Sequence, residues 1–122
     1  MLLSPPFGSV LQLVSYRDQA GREPFQIWFD GLDPHAAYKV TVALARVAQG
    51  NVSEVKSVGA GVFERRIDWG PGYRVYFGRE GERVVILLCG GTKKRQRRDI
   101  SAAHARWADY KARRNTEDVQ HE

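Results

Sequence analysis

The chain is poor in the side chains that thiol and metal chemistry require. One cysteine in 122 residues cannot form an internal disulfide, and Cys89 sits inside the apolar run VVILLC, where it reads as a small buried hydrophobe. His35, His104 and His121 are far apart, without zinc-ligand spacing or a cysteine partner, so neither a metal nor another cofactor is expected. No stretch approaches the roughly 20 apolar residues of a membrane span. The start, MLLSPPFGSV, lacks the charged and long apolar regions of a signal peptide, so the expected location is cytoplasmic. The glycines of VGAG (58–61) and Gly90-Gly91 lack the remainder of any nucleotide-binding fingerprint and read as turns.

What the chain does have is a globular composition, 43% hydrophobic and 27% charged, enough for one domain. Its net charge of +5 is concentrated. Lys93, Lys94, Arg95, Arg97 and Arg98 are five of the 19 basic residues, and the remaining 14 match the 14 acidic ones in number. The whole excess therefore lies in GGTKKRQRRDI (90–100), directly after an apolar run. That is the footprint of a polyanion-binding site or of a surface that an acidic protein covers.

Periodicity divides the chain into a loose leader (1–9), one domain (10–114) and a polar tail (115–122). VLQLVSY (10–16) reads as a strand. Phe25, Trp28, Phe29 and Leu32 have helical spacing. Gly31 then closes this helix, while Asp33 caps a second with Pro34 at its first position. The second helix runs to about Gln49 with the stripe Ala37, Val40, Leu44 and Val47, and Trp28 and Tyr38 are assigned to packing. After the polar connector NVSEVKSVGAG, the segments VFERRIDW, YRVYFGRE and ERVVILLC read as strands, the last apolar at consecutive positions and so central. Ile100, Ala103, Trp107 and Tyr110 stripe a final helix. The expected fold is α+β: a small, mostly antiparallel four-stranded sheet, an N-terminal helical hairpin and a C-terminal helix, with the helices on one face.

Alternation places Phe63, Arg65, Ile67 and Trp69 on one side of their strand and Glu64, Arg66 and Asp68 on the other. Tyr73, Val75 and Phe77 likewise oppose Arg74 and Tyr76. If Ile67 pairs with Tyr73, Arg66 lies opposite Arg74, a like-charge pair that needs an anion or a carboxylate such as Glu64 between its members. The alternative is a surface ion cluster of little consequence. An open face bearing Arg66, Arg74 and Tyr76, together with the basic run, offers guanidinium groups for phosphate oxygens, mobile ammonium groups and a phenol plane for a base. Single-stranded RNA fits this set, and so does an acidic helix or a duplex backbone.

The blocks Glu64-Arg65-Arg66-Ile67, Gly70-Pro71-Gly72-Tyr73-Arg74-Val75-Tyr76-Phe77 and Leu87-Leu88-Cys89-Gly90-Gly91-Thr92-Lys93 resemble the RelE/ParE superfamily of toxins. The resemblance is strongest to phage-derived, HigB-like (Gp49-like) addiction-module killers and covers about residues 10–112. It implies an α+β fold and, as in many members, metal-independent cleavage of mRNA on the ribosome through the RNA 2′-hydroxyl. On that implication Arg74 stabilises transition-state charge, Arg66 positions substrate, and Lys93 or Lys94 contacts phosphate or assists as acid; Arg95, Arg97, Arg98 and Tyr76 bind RNA. Some members carry tyrosine or histidine where this chain has RQRRDI, so no general base is assigned. Other members inhibit DNA gyrase without a nuclease step, and a decayed site that retains only partner binding is a third alternative. The implied partners are the ribosome, mRNA and a cognate antitoxin, often a helix-turn-helix protein, with operator DNA reached only through the antitoxin complex.

Overall fold

The structure, a computed structural model, describes residues 10–121; the leader assigned to 1–9 lies outside them. A five-stranded sheet has the order β1-β5-β4-β3-β2, with β1 Gln12–Ser15, β2 Val55–Ser57, β3 Val62–Ile67, β4 Tyr73–Glu80 and β5 Val84–Thr92. The helices are α1 Pro24–Asp30, α2 Pro34–Ala48 and α3 Gln96–His121, the last entered through a 3-10 turn, Lys93–Arg95. The fold class is α+β as expected, but the four-stranded, mostly antiparallel sheet is corrected to a five-stranded mixed one. β1 runs parallel to β5, with Gln12 opposite Val84 and Ser15 opposite Leu87. The extra strand, β2, lies inside the segment read as a polar connector. Its Lys56 and Ser57 are exposed, and a short edge strand carrying lysine needs no apolar alternation, because pairing with Phe63, Glu64 and Arg65 of β3 holds it.

The helical hairpin forms for local reasons. Asp33 accepts a 3.0 Å hydrogen bond from the Ala36 amide, satisfying an orphan donor at the start of α2, and Pro34 occupies the position where its missing N–H is harmless. Ala36, Val40, Ala43, Leu44 and Val47 are buried, so Ala36 replaces Ala37 in the expected stripe, and Tyr38 projects into solvent instead of packing. This stripe, with Phe25 of α1, meets Ile67, Tyr73, Val75, Phe77, Val85 and Leu87 on one face of the sheet. Trp28 packs edge-on to Tyr73, their ring centroids 6.2 Å apart.

The opposite face is not open. Val62, Tyr76, Ile86, Leu88 and Cys89 form a second apolar cluster beneath Ala103 and Trp107 of α3, with Ile100 and Tyr110 at its margin. The expected α3 stripe is therefore correct, and it must bury against something. The face thought to be free is the surface available to it. A β-bulge serves this second core: Tyr76 pairs with Cys89 but Phe77 with Leu87, so Leu88 is the additional residue and both Leu88 and Cys89 join the α3 side. Burial raises the Cys89 thiol to about 11, which leaves it protonated and inert at neutral pH. Hydrogen bonds from Tyr16 to Asp109 (2.6 Å) and Tyr110 to Glu80 (2.8 Å) dock the middle of α3, and the helix continues to His121, within the segment assigned to the polar tail. Among the described residues no helix is long and apolar enough to cross a membrane.

Glycine permits the close contact of sheet and helix. A Cβ on Gly78 would lie 2.5 Å from the Trp107 ring, and that ring is buried. Gly78→Ala is expected to destabilise the protein by about 1–3 kcal/mol through overpacking, read as a lower urea midpoint with an unchanged slope.

Candidate functional site

The register of β3 and β4 places Arg66 opposite Arg74 and Ile67 opposite Tyr73, as the alternation predicts. Each arginine has its own carboxylate. Arg74 Nε lies 3.7 Å from Glu64 Oε2, and Arg66 Nε lies 3.7 Å from Glu54 Oε2. The two pairs differ in environment: Arg66 is 46% exposed at its side chain, whereas Arg74 retains 4% of its surface and Glu64 none. Arg74 therefore does not lie on an open face. It is clamped between the sheet and the start of α3, where Gln96 donates a 2.7 Å hydrogen bond to Glu64 Oε2. Lys56, on the edge strand, sets its ammonium 3.9 Å from Glu64 Oε1.

Tyr76 is likewise corrected. Its fully buried ring packs in the second core and cannot offer a plane to a base. Burial raises its phenol pKa, with further upward contributions from the nearby Glu64 and Asp99 charges and an opposing one from Arg74. The phenol stays protonated at neutral pH, a neutral wall behind the Glu64–Arg74 pair.

The outer edge of Arg74 reaches the rim of the site at the β3–β4 turn. Its Nη1 and the Lys93 Cβ each lie 3.5 Å from the place a Cβ on Gly72 would take, and the Lys93 amide donates a 2.8 Å bond to the Gly72 carbonyl. Gly72, at φ +78°, is a position that favours glycine. The turn thus brings Lys93 beside Arg74, and the sheet register brings Arg66 beside Arg74. Lys93, Lys94, Arg97 and Arg98 are exposed and make no ion pair with any described residue. Lys94, Arg95 and Arg98 line a shallow depression on the adjoining surface, and Arg95 also borders a cleft with Trp28, Gly91, Asp99 and Arg106. Arg66, Arg74 and Lys93 are brought together; Arg95 and Arg98 lie near Asp99; among the described residues no ion pair ties Arg97 to either set.

Sequence reasoning missed Glu54, Lys56 and Gln96. The first two lie in the connector that contains β2; the pairing of Lys56 with Glu64 and a 2.9 Å bond from the Arg66 amide to the Glu54 carbonyl bring them to this corner. Glu54 carried no sequence signal, although its backbone is unusual: φ is +64°, an uncommon conformation for a residue with a side chain. Chemically, the corner offers one fixed and several mobile cations with an exposed carboxylate among them, a set that suits a phosphate group.

Removing one partner of the buried pair leaves an uncompensated charge. Glu64→Gln and Arg74→Ala are each expected to destabilise by about 3–5 kcal/mol, measured by chemical denaturation, with the double replacement less destabilising than the sum. Asp99 gives a pH signature. Burial raises its pKa above 3.8, against the lowering influence of Arg95, Arg106 and Arg98. The folded state then holds the proton more tightly than the unfolded state, so the contribution of Asp99 to stability is greatest at low pH and falls as pH rises through the raised value. Asp99→Asn should remove that decline from stability measured across an acid-to-neutral pH series.

The family described as phage derived protein Gp49-like (DUF891) matches residues 27–108, a span that contains Arg66, Arg74 and the entire basic run. An uncharacterized protein of Haemophilus influenzae is 44% identical over 80 residues, covering 65% of this chain and 81% of that protein. With more than half of its length matched, the chain belongs to the phage-derived Gp49-like family.

Proposed function

We propose that the protein is the toxin of a type II toxin–antitoxin module, a HigB-like member of the RelE/ParE superfamily that cleaves mRNA on the ribosome. Membership of the Gp49-like family is consistent with a toxin-like role. The observation that carries the reading is the meeting of Arg66, Arg74 and Lys93 at one rim, with Lys93 and Lys94 exposed and unpaired among the described residues. In the proposed reaction a ribose 2′-oxygen forms a bond to the adjacent phosphorus while the bond from phosphorus to the 5′-oxygen breaks. A base accepts the 2′-hydroxyl proton and an acid protonates the leaving oxygen.

Arg74, held from behind by Glu64, is the pre-oriented cation for the charge on the crowded phosphate. Arg66 positions the strand, and Lys93 or Lys94 contacts phosphate or assists the leaving oxygen. Glu54, exposed and paired with Arg66, is the carboxylate offered for the 2′-hydroxyl proton. Arg95, Arg97 and Arg98 extend the cationic surface along the RNA, while Tyr76 supports the buried pair in place of stacking. The site of action is cytoplasmic, on the ribosome, and the regulatory partner is a helix-turn-helix antitoxin whose complex contacts operator DNA. One observation favours a second reading, gyrase inhibition or antitoxin binding alone: an arginine as buried as Arg74 also serves as a structural residue.

Primer extension on a defined mRNA in a purified translation reaction separates these readings. Wild-type protein should cut in phase with codons only when ribosomes are present. Arg66→Ala and Lys93→Ala, both at exposed positions, should lower cleavage by about 10²-fold with little change in stability. Intact mRNA with folded wild-type protein, together with loss of gyrase supercoiling, would establish the second reading instead.

A further inference from the structure

Beside Arg66 in sequence, Arg65 faces the other side of the sheet. It is 6% exposed, and no carboxylate of the described residues lies within ion-pair distance of it. One guanidinium nitrogen donates to the Arg66 carbonyl, but its Nε is buried without a hydrogen-bond partner. A buried, unpaired guanidinium is unfavourable, and burial lowers its pKa, with Glu54 opposing and the Arg46 charge adding to the decrease. Such a group is either a defect or one half of a binding site.

The surroundings are those of a binding site. Arg65 lines a cleft of about 480 Å³ between β3 and the outer side of α2. Lys39 and Arg46, two helical turns apart on α2, supply further cations to it, and the Lys39 ammonium sits 6.0 Å from the Trp69 ring centroid. The walls also include Val42, Ala43 and Ile67, and Tyr38 projects at the rim with 66% of its surface exposed.

We propose that this cleft binds an acidic peptide segment of a partner protein. One carboxylate pairs with Arg65 and Arg46, and a neighbouring apolar side chain packs against Val42 and Tyr38. A fork of guanidinium donors matches a carboxylate in two parallel bonds, and the apolar wall would gain little from a sugar–phosphate chain. Lys39, Arg46, Arg65 and Arg66 outnumber Glu54 and Asp68 around the cleft, so its lining attracts a carboxylate. The inference does not depend on nuclease activity, because only Arg66 and Glu54 are shared with the corner described above.

The test uses the full chain with arginine side chains and backbone amides labelled with nitrogen-15, followed by NMR. Three probes are titrated: acetyl-Leu-Glu-Glu-Leu-amide, its Leu-Gln-Gln-Leu counterpart, and a five-residue oligouridine. The acidic peptide should shift the Arg65 Nε–H and the Ala43 and Ile67 amides saturably, and the neutral peptide should not. Arg46→Gln, at an exposed helical position, should keep the fold and weaken binding at least about tenfold, the loss of one charge-assisted contact. The proposal is overturned by the absence of saturable shifts at millimolar acidic peptide, by equal shifts with the neutral peptide, or by unaltered binding in Arg46→Gln. Oligouridine that shifts these signals where the acidic peptide does not would reassign the cleft to nucleic acid.

Discussion

The buried Glu64–Arg74 pair is the constraint around which this small protein is arranged. Two full charges on adjacent strands of a close-packed sheet are costly to bury, and the polar groups gathered around them come from widely separated elements. Gln96 at the start of α3 bonds to Glu64, Lys56 on the edge strand approaches it from outside, and Tyr76 closes the back of the site. Holding Gln96 fixes where α3 begins. The three residues immediately before it, Lys93–Arg95, form the 3-10 turn, so the buried pair also determines where the basic run emerges from β5.

A second constraint supports the first. α3 can lie low enough over the sheet for Gln96 to reach Glu64 because Gly78 and Gly91 leave room for Trp107 and Asp99. Trp28 takes the corresponding space over Gly90 on the other face. The glycines of Gly90-Gly91 are thus not merely turn residues; they form the end of β5, where larger side chains would push helices away from both faces at once. The bulge at Leu88 sets the phase that delivers Gly90 to Trp28 and Gly91 to Asp99. The arrangement couples the packing of both helical layers to the geometry of one corner of the sheet.

Much of this was legible in local chemistry. The Asp33-Pro34 helix start, the α3 stripe and the pairing of Arg66 with Arg74 each depend on short-range periodicity or turn length, which a sequence displays directly; the apolar run of β5 marks a strand with neighbours on both sides, but β4 and not β5 holds the middle of the sheet. What was not legible depends on surfaces meeting. β2 has only three residues and its exposed residues carry no apolar pattern. The covering of Tyr76 and Arg74 by α3 could not be inferred from alternation, because alternation assigns residues to a face without saying whether that face is wet. The polar character of Glu64, Arg66 and Arg74 suggested solvent; the apolar Val62, Ile86 and Leu88 of the same face carried the opposite signal. Glu54 was invisible because its place depends on a left-handed backbone and on an edge strand that had not been recognised.

The adjacent arginines of β3 show how one short block can serve two surfaces. Successive side chains on a strand point in opposite directions, so Arg65 and Arg66 cannot act at the same place even though they are neighbours. Arg66 stands exposed with a carboxylate, beside the buried pair and near the basic turn. Arg65 is driven into the layer beneath α2, where no described carboxylate meets it. A single residue type repeated once thus yields a solvated cation at a phosphate-sized corner and a desolvated cation in a cleft with apolar walls. The first setting favours mobile contact with a polyanion, and the second favours one well-oriented carboxylate whose binding would relieve a charge the fold leaves unpaired.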